Sequence, residues 1–476
     1  MKNERMRPNI LFIMADQFRA DALGCVGGEV HTPNLDSLAA RGWLFTNAYA
    51  NSAECIPSRI SLATGLYPHQ TGVLINEPCT LDPAFPNWMQ SIEAAGYATS
   101  LFGKTHLHPH SGDLRDRRDL MHRYGLQTVD EIGGPRASAA LRSNMTELWE
   151  RRGVWERYRD DFKERFETKP FVARPSTLPL DLYYDVYVGR TARDHLRTLP
   201  VSHPWFCWVS FSGPHEPWDA PEPYASMYDA ATLAPALPKP PDAAQRRGLL
   251  KGLYASQTSN PTMTAAEIGA MRANYAGNVT LIDDEIGRTI ALIEERGEMN
   301  NTLILFTSDH GEMNGDHGLV YKGNFLDPAI KVPLIVVPPG GTAARRSSAL
   351  VELMDVGATL TDYAKGEQPA PSLARSLRPL MAETSATHRS VAISEFAGHT
   401  CVVKPDIKVE FDRDATPVLA FDRAADEDEQ VDVSGSAAHA ARIAALRNEL
   451  GLFRNVTPAL RATMAQRAGT SIVQTG

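Results

Sequence analysis

Five short apolar runs, residues 10–15, 98–102, 205–211, 303–307 and 333–337, recur along the chain with helical patterns between them. Strand-like runs alternating with helices predict an α/β layer fold: a large, mostly parallel sheet flanked by helices. Thr264, Ala265, Ala266 and Glu267 form a capping-box signal that opens a long helix. Within it Ile268, Met271, Tyr275, Val279, Ile282, Ile286 and Ile293 fall mostly at three- and four-residue steps and read as a core stripe. With 476 residues and 43% hydrophobic content, the chain can bury a large core and ordinarily makes more than one domain. The expected division is a main body over 1–386 and a small C-terminal α+β subdomain over 387–476, with strand-like runs at 391–395 and 418–421 and a helix at 437–451. The stretch of about 108–179 is rich in Arg, Asp and Glu without a clear period and reads as an insertion over the sheet's edge or mouth. The proline-rich segment 214–241 reads as an extended loop.

A net charge of −9 argues against a nucleic-acid partner, while leaving room for a local cationic pocket. The five cysteines, Cys25, Cys55, Cys79, Cys207 and Cys401, are scattered and odd in number, so neither a disulfide framework nor a cysteine zinc site is predicted. No apolar run reaches the ~20 residues of a membrane span, so no membrane partner is expected. Residues 1–8 lead directly into the first strand run, and Asp16, Gln17, Phe18 and Arg19 stand where a signal peptidase site would lie. A cytoplasmic location is the expectation.

Chemistry-bearing residues gather just after the strand runs, where ligands bind in open α/β sheets. Asp16 and Gln17 follow the first run, Lys104 and His106 the second, His215 the third, and Asp309 and His310 the fourth. Two carboxylates converging on one point repel by ~4 kcal/mol at about 4 Å with an effective dielectric of about 20, and a divalent cation removes that penalty. Oxygen ligands with one amide and one imidazole suit Ca²⁺, Mg²⁺ or Mn²⁺, the imidazole tilting the choice toward Mn²⁺. Taken singly, an Asp after a strand is commonly a helix cap, a Lys is usually solvated and a free Cys is a small buried hydrophobe. Cys55 stands in a fixed frame with Pro57, Ser58, Arg59, Thr64 and Gly65. That frame describes a loop feeding a short helix whose N-terminus favours an anion.

The frame from Cys55 to Gly65 matches, position for position, the run in which sulfatases have a cysteine oxidised to formylglycine. Over residues 8–106 and 205–337 the chain resembles a type I sulfatase of the alkaline phosphatase superfamily. The resemblance implies that Cys55, matured by a formylglycine-generating enzyme, is the nucleophile. It assigns one divalent metal ion to Asp16, Gln17, Cys55, Asp309 and His310. It further implies that Arg59 holds the aldehyde hydrate, that Lys104, His106 and Lys322 contact the sulfuryl oxygens, and that His215 or Lys322 protonates the leaving group. Asp309 takes the nucleophile's proton, and a covalent sulfate hemiacetal breaks down to inorganic sulfate. The implied substrate is a small-molecule sulfate ester. His108, His110 and His317 lie close in sequence to these residues and read as structural or supporting groups.

Gln17 and His310 stand where many sulfatases have Asp and Asn, a departure similar to the phosphonate monoester hydrolase and choline sulfatase branches. Hydrolysis of phosphonate monoesters or phosphate diesters by the same nucleophile is therefore the alternative activity. Gly315, Asp316, His317, Gly318, Asp327 and Pro328 look like that branch, whereas the Lys104, His106 pair favours sulfate. A non-catalytic anion-binding protein with an unmodified Cys55 is the remaining reading. The C-terminal run 418–428 matches the family only in part.

Overall fold

The computed structural model describes residues 7–168, 171–383, 387–468 and 472–475. Eight strands form the main sheet: β1 (Asn9–Asp16), β2 (Trp43–Tyr49), β4 (Ala98–Gly103), β5 (Thr128–Glu131), β6 (Trp205–Pro214), β7 (Thr302–Ser308), β8 (Leu334–Val337) and β9 (Arg345–Glu352). Their spatial order is β5-β4-β6-β1-β7-β8-β2-β9. Strand β8 pairs antiparallel with both of its neighbours, and every other pairing is parallel. The five predicted runs correspond to β1, β4, β6, β7 and β8. Strands β2, β5 and β9 carry too much Asn, Arg, Ser or acidic residue to stand out as apolar runs. A short pair, β3 (Cys79–Leu81) with β14 (Val473–Thr475), lies apart.

Strand β1 shows why the sheet is central. Leu11, Ile13 and Ala15 enter one core and Ile10, Phe12 and Met14 the other, and all six are buried. A strand alternates its side chains between faces, so a continuous apolar run requires cover on both. On the first face the helices Tyr184–Thr198 and Ala265–Glu295 supply that cover through Tyr187, Val188, Met271, Val279 and Ile286. On the second, Ile60, Trp88, Val356 and Leu360 come from the helices Cys55–Thr64, Trp88–Ala94 and Asp355–Ala364. Each such apolar side chain contributes ~1.5–3 kcal/mol on burial. The Thr264 capping box forms as predicted, with the Glu267 amide donating to the Thr264 hydroxyl.

The irregular stretch 108–179 does more than overlie the sheet. It contains β5, which pairs parallel with β4 and makes the sheet's edge. The reading of this stretch as an insertion over the sheet's edge or mouth did not include that strand, because Thr128–Glu131 is too short and polar to register as one in isolation.

The C-terminal part forms an antiparallel sheet of β10 (Ala392–Phe396), β11 (His399–Val403), β12 (Ile407–Phe411) and β13 (Pro417–Asp422). One face shares a core with the body through Met313, Phe325, Ala392, Cys401 and Phe421. The other packs Val402, Val409 and Ala420 against Ile443, Leu446 and Leu450 of the helix Ala440–Ala468. This helix continues past Gly451, since a glycine weakens a helix by only about 1 kcal/mol and stops it only when it adopts a terminating conformation. Among the described residues, no helix is long and apolar enough to cross a membrane.

The end of β6 is tied down by a buried carboxylate. Asp185 Oδ1 accepts the backbone N–H groups of Ser212 and Gly213 at 2.8 and 3.1 Å. Burial dominates and pushes the Asp185 carboxyl up to about 7, against the lowering effect of these two donors. A carboxyl raised in the folded state binds its proton more tightly than in the unfolded chain. Its stabilising contribution is full below about pH 4 and is lost as pH rises through about 7. Asp185→Asn is therefore expected to lose less stability than wild type between pH 5 and pH 8 in urea unfolding. Parallel pH profiles for the two proteins would exclude this source.

Candidate active site

The carboxyl ends of β1, β4, β6 and β7 open onto one point, and the N-terminus of the helix Cys55–Thr64 faces it. Cys55 is the first residue of that helix and Gly65, at φ 69°, ends it in the left-handed region, as the sequence frame required. One turn on, Arg59 is completely buried and braces both strand-end carboxylates. Its Nε donates to Asp309 Oδ2 at 2.7 Å and an NH2 group to Asp16 Oδ2 at 3.0 Å. Its remaining nitrogen donates to the Lys104 carbonyl at 2.8 Å and to Ser210 Oγ at 3.1 Å, which locks the plane of the guanidinium.

Asp16, Cys55, Asp309 and His310 are all buried, and their ligand atoms lie within 4.8 Å of one another. Cys55 Sγ is 3.1 Å from His310 Nε2 and 3.8 Å from Asp16 Oδ1. The other ring nitrogen of His310, Nδ1, faces the Gly311 carbonyl at 2.9 Å. A proton on Nδ1 serves that carbonyl and leaves the Nε2 lone pair aimed into the cluster, the tautomer a metal requires. Burial, opposed by Asp309, holds the His310 pKa below its ordinary value and keeps the ring neutral. Two carboxylates, an imidazole and a thiol position thus fit a single divalent cation.

Gln17 adjoins this cluster in a left-handed conformation at φ 66°. Its amide nitrogen donates to Glu216 Oε2 at 3.0 Å and to Glu312, while its amide oxygen accepts from Lys322. The backbone of Gln17 is held from both sides: its N–H donates to Asp309 Oδ1 at 3.1 Å and its carbonyl accepts from the Tyr275 hydroxyl at 2.8 Å. Glu216 and Glu312 have no role in the sequence reading, although they stand one and two residues beyond His215 and His310. A carboxylate one or two residues beyond a histidine carries no signal until the fold shows which way it points. Burial, reinforced by Glu216, raises the Glu312 carboxyl to about 7.

The cations line the opposite side. Lys104 Nζ lies 2.6 Å from Asp16 Oδ2 and is almost wholly buried. Gly103, at φ 114°, delivers it: a Cβ there would sit 1.8 Å from the Ser210 carbonyl oxygen, so only glycine permits β4 to approach β6 this closely. Lys322 Nζ lies 2.8 Å from His215 Nε2. Burial would lower Lys322, but the charges of Cys55, Glu216, Asp16 and Asp309 raise its pKa above the usual lysine value. Burial would likewise raise Asp16, yet Lys104, His215 and Arg59 hold it well below the usual carboxylate range.

His106 takes a left-handed conformation at φ 57° and stacks obliquely on His110, with ring centroids 4.5 Å apart. Burial and then Lys104 push its pKa well below the ordinary histidine value, so the ring is neutral. Every residue assigned from the sequence is therefore near the strand ends, with His106 at the margin and held through His110. His317 lies elsewhere, buried beside Gln430, with burial lowering its pKa to about 4.

A buried metal-competent cluster beside one buried and one half-buried lysine, at the mouth of a doubly covered, mostly parallel sheet, is the site of an α/β-class enzyme suited to an anionic substrate. Residues 8–366 match the family model described as Sulfatase. The chain is 30% identical over 429 residues to the Arylsulfatase of Clostridium perfringens (strain 13 / Type A), covering 84% of this chain and 85% of the relative. It is 30% identical over 486 residues to the Multifunctional alkaline phosphatase superfamily protein PehA of Trinickia caryophylli, covering 92% and 93% of the two chains. Its fold superposes on the phosphonate monoester hydrolase SpPMH from Silicibacter pomeroyi with a TM-score of 0.77 at 27% identity, over 94% of this chain and 96% of that one. The chain belongs to the sulfatase family.

Proposed function

We propose that this chain hydrolyses a sulfate ester to inorganic sulfate and an alcohol, with residue 55, oxidised from cysteine to formylglycine, as the nucleophile. The observation that carries the proposal is the convergence of Cys55, Arg59, Lys104, Lys322 and His215 around the Asp16, Asp309, His310 cluster, in a chain of this family. Asp16, Asp309, His310 and residue 55, with Gln17 adjoining, would hold a divalent cation, which would supply electrostatic activation to the attacking oxygen. Calcium, magnesium or manganese suits this oxygen-rich set.

The protein's own groups divide the remaining work. Arg59 orients residue 55 and holds both carboxylates apart. Asp309, whose Oδ1 accepts the His310 backbone N–H at 3.0 Å, is placed to take the nucleophile's proton. Lys104 and Lys322 offer positive charge to the sulfuryl oxygens, where charge persists through the transition state. His106 borders that subsite as a neutral donor. The His215–Lys322 pair is the proton source for the departing alcohol oxygen, its Nδ1 side held by the Glu216 carbonyl at 2.8 Å.

A second reading is hydrolysis of a phosphonate monoester. The resemblance to SpPMH and the Gln17, His310 pair favour it. One experiment separates the readings. Protein made together with a formylglycine-generating enzyme is digested, the residue-55 peptide is weighed, and the same sample is assayed on an aryl sulfate and an aryl phosphonate with metal supplied. The expected result is an aldehyde mass and higher kcat/KM on the sulfate. A higher value on the phosphonate transfers the assignment to the second reading. A residue 55 that stays a thiol under these conditions removes the nucleophile from both.

A further inference from the structure

A second constellation of ligating side chains lies beneath the loop that follows β4. His108, His110 and Glu131 bring their ligand atoms within 4.8 Å of one another. None of the three side chains is more than 3% exposed. The two histidines come from the loop carrying Lys104 and His106, and the carboxylate is the last residue of edge strand β5.

The hydrogen bonds leave part of this group unsatisfied. His108 Nδ1 faces the Pro109 carbonyl at 3.1 Å, which places its proton there and leaves the Nε2 lone pair directed at Glu131 Oε2, 2.7 Å away. Two acceptors at that separation repel unless a cation or a proton lies between them. His110 Nε2 stands 3.1 Å from the other oxygen, Glu131 Oε1, while the backbone N–H of His106 points at the same nitrogen from 3.3 Å. The Thr105 hydroxyl donates to Glu131 Oε1 and fixes the carboxylate plane. His110 Nδ1 is buried without a partner. Protonating His108 answers one contact. It leaves His110 Nε2 facing both Glu131 Oε1, which already accepts from Thr105, and the His106 N–H, which calls for a lone pair there, and it leaves His110 Nδ1 unpaired.

We propose that His108, His110 and Glu131 bind a second, structural divalent ion of the zinc class. Two imidazoles and a carboxylate are a donor set that suits zinc and its neighbours, in contrast to the oxygen-rich catalytic cluster. Metal–ligand bonds of about 2.0–2.2 Å set tetrahedral ligand atoms about 3.3 Å apart, so the imidazole–carboxylate separations of 2.7 and 3.1 Å would lengthen by roughly 0.2 to 0.6 Å. The Thr105 hydroxyl on the carboxylate and the Pro109 carbonyl on the imidazole are the outer partners that such sites carry. The ion pins the Lys104, His106 loop to the edge of the sheet.

The test is zinc binding by the whole chain. Protein stripped with a chelator is titrated with zinc in a calorimeter, and its bound metal is counted by mass spectrometry after desalting. With calcium in excess to occupy the oxygen-rich catalytic cluster, wild type is expected to take up one equivalent of zinc, and His110→Gln and Glu131→Gln, checked for fold by circular dichroism, none. A wild type that binds no zinc overturns the site, as do folded variants that keep the wild-type stoichiometry. X-ray absorption at the zinc edge gives an answer independent of the variants. Two imidazoles on one zinc ion are expected, from His108 and His110. A single imidazole overturns the proposal.

Discussion

Cys55→Ala is expected to lower kcat/KM on an aryl sulfate by on the order of 10⁴- to 10⁶-fold while leaving the protein folded. The size of the loss follows from the position of residue 55. It begins the helix Cys55–Thr64, is 1% exposed and lies among Asp16, Asp309 and His310. No neighbouring hydroxyl is placed to substitute, since Ser58 Oγ is engaged with the Asp309 carbonyl at 2.7 Å. Stability is expected to change little, because alanine keeps the Cβ and gives up chiefly one contact, that to His310 Nε2. The paired measurement is turnover against a urea unfolding curve. Residual activity within tenfold of wild type would falsify the assignment of residue 55 as nucleophile.

Arg59→Met is expected to be the most destabilising single change at the site, by about 3–5 kcal/mol in chelator. Methionine fills much of the volume but leaves Asp16 and Asp309, both fully buried, without their shared cation. Lys104 still neutralises Asp16 Oδ2 at 2.6 Å, so most of the penalty falls on Asp309. Saturating divalent metal is expected to recover part of the loss, because a ligand at about 100 times its Kd adds ~2.7 kcal/mol to the folded state. Denaturant midpoints of both proteins, with chelator and with calcium or manganese, measure the two effects together. An Arg59→Met protein as stable as wild type in chelator would show that the carboxylates are protonated rather than paired. Activity is expected to be lost in either metal state, since the guanidinium also fixes the Lys104 carbonyl and Ser210.

Much of this molecule was legible before any coordinates. Runs such as 10–15 and 303–307 are apolar at every step because they are covered on both faces, and that requirement alone implies the parallel sheet. Cys55, Arg59 and Gly65 are bound to one another by helical spacing, so their local geometry could be read directly. Asp16, Lys104, His215 and Asp309 were found because each stands at the end of a strand, where a parallel sheet gathers its functional groups. The edge strands were less visible. Thr128–Glu131 and Arg345–Glu352 meet solvent or loops on at least one side, so selection for burial leaves no continuous apolar pattern in them.

The amino-acid sequence by itself determined the fold class, the helix that begins at Cys55 and the residues at the strand ends, because these depend on periodicity and spacing within short segments. Only the tertiary structure decided how distant charges share one another. Arg59 serves two carboxylates 43 and 250 residues away, Lys322 meets His215 across 107 residues, and Glu131 joins His108 and His110 from a strand with no pattern of its own. Electrostatic energy depends on separation through space and on burial, and neither is written in the spacing along the chain.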